Sequence, residues 1–364
     1  MRIGIIGLAA SGKTTVFNAL TRGSAQAGGY SSARGANVGV AHVPDERIGE
    51  LKKMFNPKKT TYAEVTYVDL PGNTGKSQDE WLTSEAVVQL QKMDALIVVV
   101  RAFDDGSIPH PSGSVDWTRD LEKCTFDIQF ADIALLDRRA QRISESMKGL
   151  KTTDRDAALK VIETLKAVQA DLESGVPVRA RAHSETEKRA LSDTFLLSAL
   201  PLLVAVNIGE GDLPRGLELE KQAASLLKGP STGTAAICGK LEMELAQMPP
   251  EEEAEMRSGL GAGQSGLQRM IALSYKVLGL LSFLTVGEDE VRAWTIPAGF
   301  TAPKAAGRVH SDLERGFIRA EVVSYDDLIA SGSMVEAKKR GVFRQEGREY
   351  AVKDGDIINF LFSV

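Results

Sequence analysis

Gly7-Leu8-Ala9-Ala10-Ser11-Gly12-Lys13-Thr14 satisfies the phosphate-binding pattern Gly-x-x-x-x-Gly-Lys-[Ser/Thr] in full. Its flanks are the ones the pattern requires: Arg2-Ile3-Gly4-Ile5-Ile6 reads as a short buried strand, and Thr15-Val16-Phe17-Asn18-Ala19-Leu20 as the first turns of a helix. Gly7 and Gly12 let the backbone wrap an anion. The amides from Ala10 and Ser11 through Thr15, together with the positive end of the helix, then point at a phosphate. Lys13 is expected to bridge the β- and γ-phosphates and so to act in catalysis. Thr14 is expected to offer a hydroxyl to the Mg²⁺ that accompanies a nucleoside triphosphate.

Outward from this loop, Gly23 to Gly35 is rich in Gly, Ser and Ala and reads as a loop. Asn37 to Val43 reads as a strand and Asp45 to Met54 as a helix with an acidic start. The β-branched and aromatic run Tyr62 to Asp69 reads as a strand ending in Asp69-Leu70-Pro71-Gly72. Downstream of a full phosphate loop, Asp69 is expected to serve the metal, usually through water, and the Gly72 amide to meet the γ-phosphate. Ala-Leu-Ile-Val-Val-Val within Met93 to Arg101 is a strand of the kind buried on both faces. A polar loop follows, carrying His110 between two prolines.

From Leu121 to Ala199 the pattern turns helical. Phe126, Phe130, Ile133, Leu136, Ala140, Ile143, Met147 and Leu150 recur at helical spacing, answered by Ala158, Val161, Leu165, Val168 and Leu172. The spacing predicts an antiparallel hairpin, with a third helix opened by the capping pair Ser184 and Glu187. The sheet resumes at Leu202 to Asn207. Asn207-Ile208-Gly209-Glu210 has the form of a base-reading segment, and Ala235 to Cys238 leads into Gly239-Lys240, a turn expected to lie against the base. Beyond Tyr275 to Gly279, strands at Val291 to Ile296, Gly316 to Val323 and Ile357 to Val364 and helices at Thr301 to Val309 and Tyr325 to Ala330 make a small α+β module.

With 364 residues and a net charge of −5, the chain has ample material for several cores and no bulk positive field to draw nucleic acid or anionic membrane. The hairpin region balances 13 Lys/Arg against 13 Asp/Glu and the module from Leu281 onward 11 against 13, so neither is a basic rod. Sequence-specific DNA binding and membrane association are not expected. Cys124 and Cys238 form no metal or redox spacing, which suits a reducing cytoplasm.

Together these pieces resemble the YchF or Obg-like ATPase family of translation-factor-class P-loop proteins. The resemblance rests on the phosphate loop, on Asn37-Val38-Gly39-Val40 with Val43-Pro44-Asp45, and on Val100-Arg101-Ala102-Phe103-Asp104-Asp105 with His110 after it. It rests also on Val291-Arg292-Ala293-Trp294-Thr295, Gly316 to Val322, Tyr325-Asp326-Asp327 and Val352 to Asp356. It implies an α/β P-loop NTPase domain (1–120 and 200–279), a helical coiled-coil insert (121–199) and a ubiquitin-like α+β TGS domain (280–364). It also implies association with the ribosome. The family has Asn-x-x-Glu as its base-reading motif, which Asn207 to Glu210 matches, so Asn207, Ile208, Glu210, Cys238 and Gly239 are expected at the base. Its catalytic His corresponds to His110.

Three departures bear on chemistry. The family usually carries Asn where this chain has Ala10, so potassium-assisted catalysis does not follow. It offers Thr to Mg²⁺ where this chain has Ala33, and Asp-x-Ala-Gly-Leu becomes Asp69-Leu70-Pro71-Gly72-Asn73. The expected activity is slow, Mg²⁺-dependent hydrolysis of ATP in preference to GTP; the alternative is a nucleotide-binding module with little turnover. Lys13→Ala is expected to abolish triphosphate binding while leaving the fold intact. Isothermal titration of the folded variant checks this, and unchanged ATP affinity would sink the phosphate-loop assignment.

Overall fold

The computed structural model describes residues 1–22, 36–70, 81–147 and 151–363; the expectations for Ala33, Pro71, Gly72 and Asn73 lie outside them. β1 (Arg2–Ile6) buries every residue after Arg2 and delivers the chain to the phosphate loop, from which α1 (Lys13–Leu20) departs. β2 (Asn37–His42) precedes α2 (Glu46–Phe55), whose N-cap Asp45 accepts the Arg47 amide as its acidic start predicts. The strand expected over Tyr62 to Asp69 starts at Glu64, as β4 (Glu64–Asp69), and a separate short strand, β3 (Lys59–Thr61), precedes Tyr62. After α3 (Ser84–Leu90), capped by Thr83, β5 (Ala95–Arg101) is buried along its whole length, as a strand covered on both faces must be.

The helical region opens with α4 (Trp117–Ser146), capped by Asp116, and returns as α5 (Thr152–Glu173). α6 (Glu185–Leu191) carries the reciprocal Ser184–Glu187 capping box. The apolar stripe read from the sequence is misplaced at its start. Phe126 and Phe130 are 63% and 60% exposed, while Leu121, Cys124 and Ile128 face inward. The reason is that α4 has two partners. Its first turns pack into the core around β5, and only from Ile133 onward does it share a core with α5, through Leu136, Ala140, Leu165, Val168 and Leu172. One helical period cannot encode two packing directions. Buried Asp132 sits at the change of face, accepting the amides of Leu197 and Ser198 at 2.8 and 2.7 Å.

β6 (Leu202–Asn207), wholly buried, is followed by α7 (Gly216–Leu226), β7 (Thr232–Ile237), α8 (Gly239–Leu245), α9 (Pro250–Gly259) and α10 (Gly266–Val277). The first sheet has the order β2-β4-β1-β5-β6-β7. β1 pairs in parallel with β4 on one side and β5 on the other, and β5, β6 and β7 continue in parallel. β1 is therefore where the strand order turns, and the crevice at the carboxyl end of such a strand is where α/β sheets bind ligands.

The remaining elements are β8 (Leu280–Thr285), β9 (Glu290–Pro297), α11 (Ala302–Val309), α12 (Ser311–Arg315), β10 (Phe317–Ser324), α13 (Tyr325–Ser331), α14 (Met334–Lys339), β11 (Arg344–Glu346) and β12 (Asp356–Phe362). They form a mixed sheet of order β11-β10-β12-β8-β9-β3 over a core of Phe283, Ile296, Phe317, Ile358 and Phe360. The chain divides into two compact units, Met1–Val40 with Thr66–Val277, and Ala41–Val65 with Leu278–Val364. Residues 41–65, which the sequence assigns to the nucleotide-binding domain, thus fold with the C-terminal residues. β3 lies parallel on β9, and Arg47 joins Asp45 to Asp354 through bonds of 2.8 Å.

Among the described residues no helix is long and apolar enough to cross a membrane. Leu136→Ala removes a fully buried side chain from the hairpin core. It is expected to cost about 2–5 kcal/mol of stability, read by chemical denaturation, with nucleotide affinity retained.

Candidate functional site

The phosphate loop is held open by backbone that only certain residues adopt. Gly7 has φ 147° and Gly12 φ 89°; a Cβ on Gly7 would meet the Val99 carbonyl oxygen at 2.3 Å, and one on Gly12 the Asn207 amide nitrogen at 2.2 Å. Ala10 is also left-handed, φ 59°. That costs an L-residue about 1–2 kcal/mol, and alanine has neither the freedom of Gly nor the local hydrogen bonding by which Asn tolerates this conformation. The Lys13 ammonium donates to the Leu8 carbonyl at 2.8 Å across the loop. Ser11 is buried, and its hydroxyl has no partner among the described residues.

Beside the loop, Thr14 Oγ1 donates to Asp69 Oδ2 at 2.9 Å, and Asn37 Nδ2 approaches the same oxygen at 3.4 Å. The other oxygen, Asp69 Oδ1, is buried without a partner among the described residues. Burial pushes the Asp69 carboxyl up from its ordinary value, against the bonds from Thr14 and Asn37. Burial likewise holds Lys13 below its ordinary value, against the pull of Asp69. Both charges are poorly solvated, and each gains if an anion meets the ammonium and a cation the carboxylate. An orphaned carboxylate oxygen beside a hydroxyl is a hard-oxygen donor set of the kind that suits Mg²⁺, which takes one or two protein ligands and its remaining oxygens from phosphate and water.

The base-reading segment is arranged differently from the sequence expectation. Asn207 Nδ2 donates to the Ser11 carbonyl at 3.0 Å, and its Oδ1 accepts the Gly239 amide at 3.1 Å. Its amide therefore joins the phosphate loop, the end of β6 and the start of α8. Ile208 and Cys238 are turned into the hydrophobic core, so neither side chain forms a wall beside a base; only their backbone is available there. Thr15 lies beside Gly239, its Cγ2 3.5 Å from where a Cβ there would sit. Glu210 opens a two-turn 3-10 helix, Glu210–Arg215, and is exposed. Sequence reasoning did not assign Phe103 a place here. Its ring is 3.9 Å from where a Cβ on Gly12 would lie, and its Cβ is 3.7 Å from the corresponding point on Gly209.

Arg101 explains how that ring is held. Only 2% exposed, its guanidinium donates to the carbonyls of Phe103, Asp105 and Ile108 at 3.1, 3.2 and 3.0 Å, and lies 4.7 Å from the Phe103 ring centroid. A buried cation is thus satisfied by the loop it organises. Two residues beyond that loop, His110 is inward-facing. Its Nε2 is 2.8 Å from Asp120 Oδ2, and its Nδ1 accepts the Ser112 amide at 3.1 Å.

Comparison with known proteins accords with this geometry. A family model described as "50S ribosome-binding GTPase" matches residues 2–124. A second, YchF-GTPase_C, described as "Protein of unknown function (DUF933)", matches residues 280–363. The protein named "Ribosome-binding ATPase YchF" of Bacillus subtilis (strain 168) is 39% identical over 365 residues, covering 99% of either chain.

The chain belongs to the YchF family.

Its Escherichia coli O157:H7 relative of the same name is 34% identical over 365 residues, covering 100% of this chain and 99% of its own. The YchF GTPase of Schizosaccharomyces pombe superposes with a TM-score of 0.86 at 29% identity, over 99% of this chain and 97% of its own. The YchF architecture is thus present throughout: a P-loop α/β domain, a helical insert and a TGS-like C-terminal fold. Asn207→Ala removes two hydrogen bonds that join three segments. It is expected to cost about 1–3 kcal/mol of stability and to weaken triphosphate binding at the same time, measured by denaturation and by titration on one preparation.

Proposed function

We propose that the chain is a Mg²⁺-dependent, slow nucleoside triphosphatase that prefers ATP to GTP and acts in the cytoplasm as a ribosome-associated switch. The observation that carries the reading is the pair Thr14–Asp69 beside a complete phosphate loop, with Asp69 Oδ1 buried and unpartnered among the described residues. In this reading Thr14 and Asp69 would hold Mg²⁺, which would supply neutralisation of charge on the phosphates. Lys13 and the loop amides bind and orient the phosphates, and His110 assists attack by water. Catalysis is positioning and charge stabilisation, with no covalent intermediate. The ribosome enters through the names of the relatives, "Ribosome-binding ATPase" and "50S ribosome-binding GTPase". Ala10 supplies no side-chain oxygen for potassium.

A second reading, binding with little turnover, is favoured by one observation: both ring nitrogens of His110 are already engaged. Single-turnover hydrolysis with and without ribosomes separates the two.

The base preference follows from donors and acceptors. Guanine presents N1–H and N2–H₂ together, which the shorter Asp of an ordinary GTPase accepts in one plane. Glu210 is one methylene longer, and Asn207 already commits one N–H to Ser11 and its oxygen to Gly239. A guanine donor left buried without a partner costs about 1–3 kcal/mol, enough for roughly tenfold to a hundredfold discrimination. Adenine has no N1–H to strand, and its amine can seek a backbone carbonyl near Cys238 to Lys240. ATP is therefore expected to bind tenfold or more tightly than GTP, with the gap narrowing in Glu210→Asp. Titration of both nucleotides against both proteins tests it, and tighter GTP than ATP binding by the wild type refutes it.

A further inference from the structure

His110 and Asp120 are each almost fully enclosed, with side chains 3% and 4% exposed, and lie 2.8 Å apart. Because Nδ1 accepts the Ser112 amide, Nε2 carries the proton and donates it to Asp120 Oδ2. The ring thus has no free lone pair and no free N–H: every position it could use on a water or a phosphate is taken by its own loop or by Asp120. The other oxygen, Asp120 Oδ1, takes Nε and Nη2 of Arg119 at 3.1 and 2.9 Å, which fixes the carboxylate from the opposite side. The loop is further tied by Arg101, which holds the Ile108 carbonyl two residues before His110. Asp120 itself stands in the first turn of α4, whose next turns, at Leu121, Cys124 and Ile128, are buried in the core.

We propose that Asp120 is a positioning residue that keeps His110 in a resting orientation, so that turnover waits on breaking one charge-assisted hydrogen bond. The proposal rests on the reading that His110 assists hydrolysis, and it adds what sets the rate at which His110 becomes available. It also assigns a use to the placement of Asp120 on α4. The helix runs on from this turn into the hairpin, so a partner that shifts α4 acts on the bond directly. Asp120→Asn keeps the side chain's size and removes its charge. The bond to a neutral acceptor is weaker, and the released fraction of His110 rises with it.

The test uses the full-length protein in saturating excess over Mg²⁺-ATP, in single turnover, with Asp120→Asn, His110→Ala and the double variant. Binding of a fluorescent ATP analogue and thermal melting are measured alongside. Expected is a turnover roughly three- to tenfold above wild type in Asp120→Asn with ATP affinity unchanged, and no such rise in the double variant. In the wild type, nitrogen-detected NMR of the histidine rings is expected to show His110 as the Nε2–H tautomer with a slowly exchanging proton, lost in Asp120→Asn. A fall in turnover in Asp120→Asn, or a rise that persists without His110, overturns the proposal while leaving the hydrolase reading in place. Wild-type turnover in His110→Ala overturns the role of His110 itself, and the proposal with it. If Asp120→Asn melts too early to assay, the tautomer and proton exchange of the wild-type ring decide: a solvent-exchanging Nε2–H excludes the resting bond.

Discussion

One carboxamide joins the parts of the nucleotide end of the sheet. Asn207 donates to the Ser11 carbonyl and accepts the Gly239 amide, so the phosphate loop after β1, the end of β6 and the start of α8 share a fixed geometry. Gly12 is glycine for the same reason, since any Cβ there would strike that amide. A phosphate loop works through backbone dipoles aimed at one point, and dipoles keep their aim only when the carbonyls behind them are tied down. These two bonds use one N–H and one lone pair of the carboxamide, and its second N–H is not spent on them.

Electrostatics at the site follow from depth. Asp69 and Lys13 lie where burial opposes both charges, and among the described residues Thr14 and Asn37 reach only one of the two carboxylate oxygens. An arrangement that leaves a buried carboxylate oxygen without a donor is costly unless something else completes it. That imbalance marks the place as a ligand site more clearly than any pattern of residues around it.

The loop between β5 and α4 shows how a buried charge can serve as scaffolding. Arg101 has no carboxylate to pair with among the described residues; it is satisfied by three carbonyls of the loop and by the Phe103 ring. Lysine could not reproduce this, because its three donors radiate from one nitrogen, whereas Arg101 uses three nitrogens spread over one plane that also lies against the ring. With Arg101 at one end and Asp120 at the other, the loop that presents Phe103 and His110 is held by two buried ionic groups.

What the sequence by itself determined was everything with a local rule. The phosphate loop follows from glycine spacing, α6 from its capping box, β5 and β6 from unbroken apolar runs, and the hairpin from helical periodicity beyond Ile133. What only the tertiary structure decided were matters that depend on partners remote in the chain. Phe126 and Phe130 face solvent because the foot of α4 packs on β5 and not on α5. Ile208 and Cys238, just past the ends of β6 and of the edge strand β7, are core because they share a cluster with Leu219 and Ala223 of α7 and Leu241 and Leu245 of α8, and residues 41–65 join the C-terminal sheet because β3 finds its hydrogen bonds on β9. The pairing of His110 with Asp120 belongs to the same class. Ten residues apart and on either side of a turn, they have no periodic relation, and only the closure of the loop against α4 brings an imidazole and a carboxylate to hydrogen-bond distance.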